Sequence, residues 1–170
     1  MFSIVIPLYN ESQNIEILIE EINLSLNEFK NFEIILVNDE STDNTLKIIK
    51  NIKNKKIKIL NNKINKGQSF SIHEGIKNSL NNIIVTIDGD GQNDPADIPK
   101  LIDSYLQNEN IKLVGGIRLK RKDKYIKIIS SKIANFVRSR ILNDKCSDTG
   151  CSLKVFNRDI FLSFPYFDGI

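Results

Sequence analysis

The sequence predicts an α/β fold in which helices cover both faces of an open, mostly parallel β-sheet. Short apolar runs alternate along the chain with segments whose apolar residues recur at helical spacing, and this alternation is typical of parallel strands joined by crossover helices. Polar clusters follow several of the apolar runs, and ligands bind beyond the carboxyl ends of the strands in such sheets. We find no internal repeat, low-complexity tract or linker.

The first half of the chain repeats the strand-then-helix pattern three times. Short runs rich in β-branched residues predict strands at residues 2–6, 34–37 and 57–60. Apolar residues at helical spacing predict the helices that follow them at residues 15–29, 46–52 and 69–80.

The second half continues the pattern with longer connections. Apolar runs predict strands at residues 83–87, 113–117 and 152–156. Between the first two of these strands, Asp97 and Pro99 mark the start of a helix, because an acidic residue suits a helix amino terminus and proline suits its first turn. A long amphipathic helix is predicted over about residues 125–142.

Composition limits the classes of protein to consider. At 170 residues, residues 1–170 are expected to form a single domain with a real core. The apolar fraction of 41% and charged fraction of 26% are ordinary for a globular chain. Cys146 and Cys151 lack zinc-finger spacing and are expected to be reduced thiols. No signal peptide or membrane-spanning run is visible, so we expect a cytoplasmic domain. The abrupt end at residues 167–170 is also compatible with a fragment of a longer protein.

The net charge of +3 is small, but positive charge is concentrated in one segment. Its members are Arg118, Lys120, Arg121, Lys122, Lys124, Lys127 and Lys132. Such a cluster suits phosphates, an anionic membrane surface or nucleic acid. We disfavour nucleic acid, because Tyr125 alone supplies an interleaved aromatic ring. A solvated basic face is the plain alternative.

The sharpest single motif is Asp88-Gly89-Asp90, which directly follows the fourth predicted strand. Alternate residues of an extended backbone point the same way, so the two carboxylates can face one space if strand geometry continues through Gly89. Clustered oxygen ligands suit Mg²⁺ or Mn²⁺, which are commonly shared with substrate phosphates. A solvated turn is the competing interpretation, since Asp and Gly are common in turns.

Three polar clusters follow predicted strands and are expected to meet at one edge of the sheet. They are residues 7–11, 38–41 and 88–92. This convergence is more specific than any one cluster. The glycine fingerprint of dinucleotide enzymes and the lysine-bearing phosphate loop of nucleotide hydrolases are both missing from the sequence.

Taken in order, the motifs resemble those of family-two inverting glycosyltransferases with the GT-A fold. The matching segments are 3–11 (SIVIPLYNE), 37–43 (VNDESTD), 65–68 (NKGQ) and 88–92 (DGDGQ). Two further segments resemble the branch that charges polyprenyl phosphates, typified by dolichol-phosphate mannosyltransferase and bacterial undecaprenyl-phosphate relatives. They are 116–123 (GIRLKRKD) and 148–154 (DTGCSLK). Each motif is weak, but the ordered set spans nearly the whole chain.

The resemblance implies roles for individual residues. Nucleotide-sugar contacts would come from Pro7, Tyr9, Glu11, Asp39, Lys66, Gln68 and Asp88. The metal ion, Mg²⁺ or Mn²⁺, would be held by Asp88, Asp90 and Gln92. The acceptor phosphate would be met by Arg118, Arg121, Lys127 and Ser131, and the catalytic set would be Asp90, Arg118, Lys127 and Ser131.

The chain departs from the family pattern at two positions of the second motif. Asn38 stands where the family usually has the first Asp of a pair, and Glu40 stands where it has Gly. Asp39 keeps its match and is therefore the safer nucleotide contact. The single histidine, His73, is expected to be structural rather than catalytic.

The resulting prediction is a metal-dependent, inverting transfer of a hexose from a nucleotide-sugar to a polyprenyl phosphate at the cytoplasmic face of the membrane. An acceptor phosphate is already anionic near neutral pH and needs no general base. Two alternatives remain open. The acceptor could be a glycan hydroxyl, in which case Asp148 would be the first candidate base, or the chain could be a non-catalytic domain that binds nucleotide-sugars.

Overall fold

The sheet is the framework of the molecule. The structure is a computed structural model that describes residues 1–117, 148 and 150–166. Six strands in this part of the chain form one sheet: β1 (Phe2–Leu8), β2 (Phe32–Asn38), β3 (Ile57–Asn61), β4 (Ile83–Thr86), β5 (Leu113–Gly115) and β6 (Lys154–Asn157). Their spatial order is β3-β2-β1-β4-β6-β5. The first four strands are parallel, and β6 runs antiparallel to both β4 and β5.

Helices cover both faces, as predicted. The described helices are α1 (Ile15–Ser25), α2 (Thr45–Asn51), α3 (Gln68–Lys77), α4 (Ile98–Leu106) and α5 (Arg158–Ser163), and a 3₁₀ turn (Pro95–Asp97) precedes α4. Helices α1, α2 and α4 pack against one face of the sheet. Helices α3 and α5 pack against the other face.

The core is split into two layers because the central strand β1 is buried on both sides. Ile4 and Ile6 point into the larger layer, where α1 contributes Ile15 and Ile22. Val5 points the opposite way into the smaller layer. This alternation explains why β1 is apolar along nearly its whole length, as strands buried on both faces generally are.

Pro7 lies in this central strand, although proline is rare there because it has no N–H to donate. The Val5 carbonyl accepts a hydrogen bond from the N–H of Ile87, so Val5 bonds toward β4. Bonding direction alternates along a parallel strand, which places Pro7 on the same side. The last paired residue of β4 is Thr86, opposite Val5. Pro7 therefore lies beyond the end of β4, and its missing N–H costs no sheet hydrogen bond.

The predicted fold class is confirmed, with differences at element ends. Strand β4 ends at Thr86, one residue earlier than predicted, and a turn at residues 89–90 follows shortly after it. Strand β6 begins at Lys154 rather than at residue 152. Helix α5 was not predicted, and the Asn157 side chain caps it by accepting from the N–H of Ile160. The predicted helix over 125–142 lies outside the described residues.

Candidate active site

A cavity of about 400 Å³ opens at the carboxyl edge of the sheet. The ends of β1, β2 and β4, the loop after β3 and the start of α3 supply its walls. The lining residues are Pro7, Leu8, Tyr9, Glu11, Asp39, Asn65, Gly67, Gln68, Ser71, Asp88, Gly89 and Asp90. The structure thus brings seven of the sequence-predicted site residues together: Pro7, Tyr9, Glu11, Asp39, Gln68, Asp88 and Asp90.

Asp39 is buried at the end of β2 and holds the loop that follows β3. Its carboxylate accepts from the N–H of Gly67 at 2.7 Å and from the N–H of Lys66 at 3.0 Å. The side-chain amide of Asn62 donates to the same carboxylate at 2.7 Å. Asp39 lines the cavity, but the contacts that the structure shows are with this loop. Its predicted contact with a nucleotide stays a prediction.

Replacing Asp39 by alanine is expected to lower the free energy of unfolding by about 1–3 kcal/mol, because the part-buried donors of Asn62, Lys66 and Gly67 would lose their shared acceptor. Urea unfolding measures the loss, and hydrogen exchange should rise at the N–H groups of Lys66 and Gly67. Asp103→Ala removes an exposed carboxylate from α4 and serves as the control. Unchanged exchange at Gly67 would show that the loop is held by other contacts.

The loops after β1 and β2 are tied to each other. Asn10, at a φ of 59°, accepts from the N–H of Thr42 at 2.8 Å through its side-chain oxygen. The N–H of Asn10 donates to Ser41 Oγ, and the N–H of Glu11 donates to Thr45 Oγ1. Asparagine tolerates a positive φ better than most residues. These bonds position the Tyr9 and Glu11 end of the cavity.

Asp43 completes this link between the two loops. The N–H of Ser12 donates to Asp43 Oδ2, and Thr45 donates to Oδ1 from its N–H and its hydroxyl. Slight burial would raise the pKa of Asp43, but the hydrogen bonds from Thr45 and Ser12 outweigh it and lower the pKa to about 2.

The lowered pKa of Asp43 predicts how the link responds to acid. A carboxyl whose folded pKa is depressed stabilises the fold above its unfolded pKa and loses that contribution as pH falls through the folded value. The stability difference between the wild type and Asp43→Asn should therefore narrow as pH falls from about 5 to about 2. Urea unfolding across this range measures it. A difference that is constant with pH would contradict the assigned ionisation.

Asp88 is held at the cavity by groups from distant parts of the chain. Gln68 Nε2 donates to Asp88 Oδ1 at 2.6 Å. The N–H of Asp88 donates to Ser152 Oγ at 3.2 Å, and Asn93 Nδ2 donates to the same hydroxyl at 2.7 Å. The segment before β6 therefore fixes the turn that carries the two carboxylates.

Electrostatics make an ionised Asp88 costly. Burial raises the pKa of its carboxyl, and the negative charge of Asp90 adds to the rise. Hydrogen bonds from Ser152 and Gln68 and the positive charge of Lys154 oppose it. The net pKa is above its usual range. The groups around Asp88 therefore do not fully offset the cost of its negative charge.

Gly89 lets the turn approach β1. A Cβ atom at Gly89 would lie 2.5 Å from Leu8 Cδ2 and 3.3 Å from the carbonyl oxygen of Pro7. Because Leu8 is fully buried, it has little room to move away. Glycine therefore brings the carboxylates against the end of the central strand.

Other predicted residues are placed differently. The backbone N–H of Lys66 donates to Asp39, but its side chain points elsewhere, with Nζ 4.2 Å from the centroid of the Phe70 ring. Gln92 is exposed and does not line the cavity, and its N–H donates to Asp90 Oδ1 at 3.0 Å. Asp148 is buried. The acceptor-phosphate residues Arg118, Arg121, Lys127 and Ser131 lie outside the described residues.

Two features are absent from the part of the chain that the structure describes. Within residues 1–117, 148 and 150–166, no group of three or more His, Cys, Asp or Glu side chains is arranged to hold a metal ion. None of the helices in that same portion combines the length and apolar character needed to cross a bilayer.

Sequence reasoning missed several residues that build the site. Ser71 lines the cavity one helical turn after Gln68, and that spacing was its only signal. Ser152 and Asn93 gave no signal as supports of Asp88, because contacts across 64 and 59 residues do not follow from local patterns.

Comparisons with known proteins agree with this architecture. A family model described as Glycosyl transferase family 2 matches residues 3–163. Dodecaprenyl-phosphate galacturonate synthase of Rhizobium johnstonii is 36% identical over 163 residues, covering 93% of this chain and 48% of the relative. Undecaprenyl-phosphate 4-deoxy-4-formamido-L-arabinose transferase of Yersinia enterocolitica is 34% identical, covering 93% of this chain and 49% of the relative. The chain spans about half the length of these curated relatives.

Solved structures share the fold at lower identity. Glucosyl-3-phosphoglycerate synthase from Mycobacterium tuberculosis, in complex with Mn²⁺, UDP and phosphoglyceric acid, superposes with a TM-score of 0.76 at 20% identity, covering 99% of this chain and 60% of that one. Mannosyl-3-phosphoglycerate synthase from Rubrobacter xylanophilus gives 0.79 at 14% identity, covering 99% of this chain and 56% of that one. The fold is GT-A, and the chain belongs to glycosyl transferase family 2, a family of sugar-transferring enzymes.

Proposed function

We propose that the chain transfers a hexose from a nucleotide-sugar to a polyprenyl phosphate, with inversion at the sugar carbon. The observation that carries the proposal is that three strand-end loops and the carboxylates of Asp88 and Asp90 line one cavity. The names of the two curated relatives, which specify dodecaprenyl and undecaprenyl phosphate, support the acceptor class.

The donor would lie across the cavity from β1 to β4. Tyr9 is half-exposed and offers a ring face to a base. Glu11 lines the cavity, and its Oε2 accepts from Asn14 Nδ2 at 2.8 Å, which orients a carboxylate able to accept hydrogen bonds from a ribose. The tied loops would keep both side chains in place before the donor arrives, so less ordering entropy opposes binding.

The donor set fits a divalent cation. Asp88 and Asp90 would supply oxygen ligands. Burial and the charge of Asp90 disfavour the ionised form of Asp88 and raise its pKa, and a bound cation would offset that cost. Gln92 could add a neutral oxygen. Mn²⁺ in the complex of glucosyl-3-phosphoglycerate synthase supports the same class of ion, and the choice between Mg²⁺ and Mn²⁺ remains part of the proposal. When bound, the ion supplies charge neutralisation to the diphosphate leaving group.

The acceptor would attack the anomeric carbon from the side opposite the diphosphate in one in-line displacement. A phosphate monoester with a second pKa near ~6 is anionic at neutral pH, so no residue has to remove a proton from it. Arg118, Arg121, Lys127 and Ser131 are proposed to meet this phosphate, since arginine pairs its planar donors with two phosphate oxygens. The acceptor would be presented at the cytoplasmic face of the membrane.

The proposal is tested by mixing the purified protein with Mg²⁺ or Mn²⁺, undecaprenyl phosphate and a panel of nucleotide-sugars. We expect one donor to raise the melting temperature in the presence of metal, because a ligand that binds the folded state stabilises it. The same donor should yield a lipid-linked sugar of inverted configuration. Transfer to soluble saccharides instead would identify a glycan acceptor. Donor binding without turnover, in this chain and in a version as long as its relatives, would identify a non-catalytic domain.

A further inference from the structure

A second cavity, of about 500 Å³, adjoins the candidate active site. We call it the aromatic cavity. It shares Gln68 and Asp88 with the first cavity, so the two spaces meet at one carboxylate. Its other walls come from α3, the segment before β6, β6 itself, α5 and the residues after α5. Its size falls within the range of about 300–1,000 Å³ that is typical of small-molecule sites.

The far wall of the aromatic cavity is apolar. Phe156 and Phe161 stack there with ring centroids 5.3 Å apart. The ring of Tyr166 packs edge-on against His73 with centroids 4.9 Å apart, which gives His73 a packing role. Phe164 is 66% exposed and Tyr166 is 45% exposed at the rim. Exposed aromatic side chains grouped around a cavity indicate a surface that binds an apolar partner.

The near end of the aromatic cavity is polar and contains a cation. Lys154 lines it and is the residue of β6 that pairs with Thr86 at the end of β4. Its charge acts on the Asp88 carboxyl, against the effect of burial. The cavity therefore has a lysine beside the Asp88 carboxylate and aromatic rings farther away. That arrangement complements a ligand with an anionic head and an apolar tail.

We propose that the aromatic cavity binds the first isoprene units of the acceptor lipid, with the lipid phosphate beside Lys154. The inference rests on the proposed function and goes beyond it, because it assigns the tail-binding site and a phosphate contact on β6. The aromatic wall would distinguish a prenyl phosphate from a hydrophilic phosphate. The shared border at Asp88 would place the phosphate at the edge of the donor cavity.

Direct binding to the full 170-residue chain tests the tail site. Farnesyl phosphate is titrated by calorimetry into the wild type, the double variant Phe164→Ser/Tyr166→Ser, and Leu24→Ser. Leu24 is 73% exposed on α1, far from the cavity, so its variant controls for loss of a surface apolar group. We expect about tenfold weaker binding or more in the double variant, since each ~1.4 kcal/mol of lost apolar contact is a factor of ten. Leu24→Ser should bind like the wild type.

The phosphate contact is tested with Lys154→Gln. We expect this variant to bind farnesyl phosphate more weakly than the wild type does, while its affinity for farnesol, which has no phosphate, is unchanged. Inorganic phosphate should compete poorly in the wild type. If inorganic phosphate competes as well as farnesyl phosphate does, the prenyl chain contributes nothing to binding and the inference is overturned.

Donor binding separates this inference from the proposed function. Nucleotide-sugar affinity, measured with metal, should be unchanged in Phe164→Ser/Tyr166→Ser. Two results would show that the aromatic cavity is not the acceptor site: the double variant binds the nucleotide-sugar more weakly, or it binds farnesyl phosphate as tightly as the wild type does. Either result would overturn the inference even if the protein forms a lipid-linked sugar. If farnesyl phosphate binding depends on the rim residues but no donor yields a lipid-linked sugar, the cavity assignment stands and the transferase proposal fails.

Discussion

Asp88→Asn is expected to abolish sugar transfer and to raise the melting temperature of the protein. Activity should fall by about 10²–10³-fold or more, the usual loss when a group that stabilises the transition-state charge is removed. Stability should rise because burial and the charge of Asp90 hold the pKa of Asp88 above its usual range, so the folded protein keeps this carboxyl ionised at a cost. Asparagine keeps an oxygen that can accept from Gln68 and removes the charge.

The sign of the pH dependence follows from the same pKa. A carboxyl with a raised folded pKa destabilises the fold at neutral pH. The penalty shrinks as pH falls through the folded pKa and is gone below the unfolded value of 3.8. The gap in melting temperature between Asp88→Asn and the wild type should therefore close in acid. Addition of Mn²⁺ should close it at neutral pH by stabilising the wild type alone. Asp103→Asn is the control. A less stable or fully active Asp88→Asn protein would refute the assigned role.

Gly75→Val is expected to lower the free energy of unfolding by about 1–3 kcal/mol through overpacking between α3 and the sheet. A Cβ atom at Gly75 would overlap Val5 Cγ1 and lie 3.1 Å from Val37 Cγ2. Both valines are fully buried, so the helix would have to move away from the sheet. Because α3 carries Gln68 and Ser71, donor affinity should fall as well.

A double-mutant cycle with Val5→Ala isolates this close contact. Val5→Ala alone leaves a cavity and should destabilise the protein. In the double variant, the new side chain at position 75 occupies the freed space, so the two costs should not add, and a coupling energy of about 0.5–3 kcal/mol is expected from urea unfolding. Strict additivity would mean that α3 does not press on β1 at Gly75.

The fold was predictable because its signals are local. The apolar runs of β1 to β4 and the spacing of Ile15, Leu18 and Ile22 in α1 reflect burial that the sequence shows directly. The direction of β6 was not predictable, since an antiparallel partner for β4 leaves no mark within residues 154–157. Helix α5 is only six residues long, which is too short for the helical spacing of apolar residues to be recognised in the sequence.

In the candidate site, too, the residues placed by local geometry were predictable and those placed by long-range contacts were not. Asp88 and Asp90 were found because a strand and a glycine-rich turn place them by local geometry, and the structure brings both to the cavity. Asp39 was assigned to a nucleotide, but its visible bonds run to a loop 27 and 28 residues away. The bond from Thr42 to Asn10 spans 32 residues. Such contacts arise only when the sheet order brings strand ends together.

The hydrogen bonds among the strand-end loops bear on how donor preference can change. The loop after β1 is anchored by residues 41–45, and the loop after β3 is anchored by Asp39 and Glu40. Replacing one loop alone with that of a relative would remove hydrogen-bond partners of the neighbouring loops. Exchange of residues 9–12, 39–45 and 62–67 as a block would keep these bonds between the loops. Selectivity for the activated sugar should therefore be inherited as a unit during divergence, and engineered chimaeras should succeed only when all three segments share one parent.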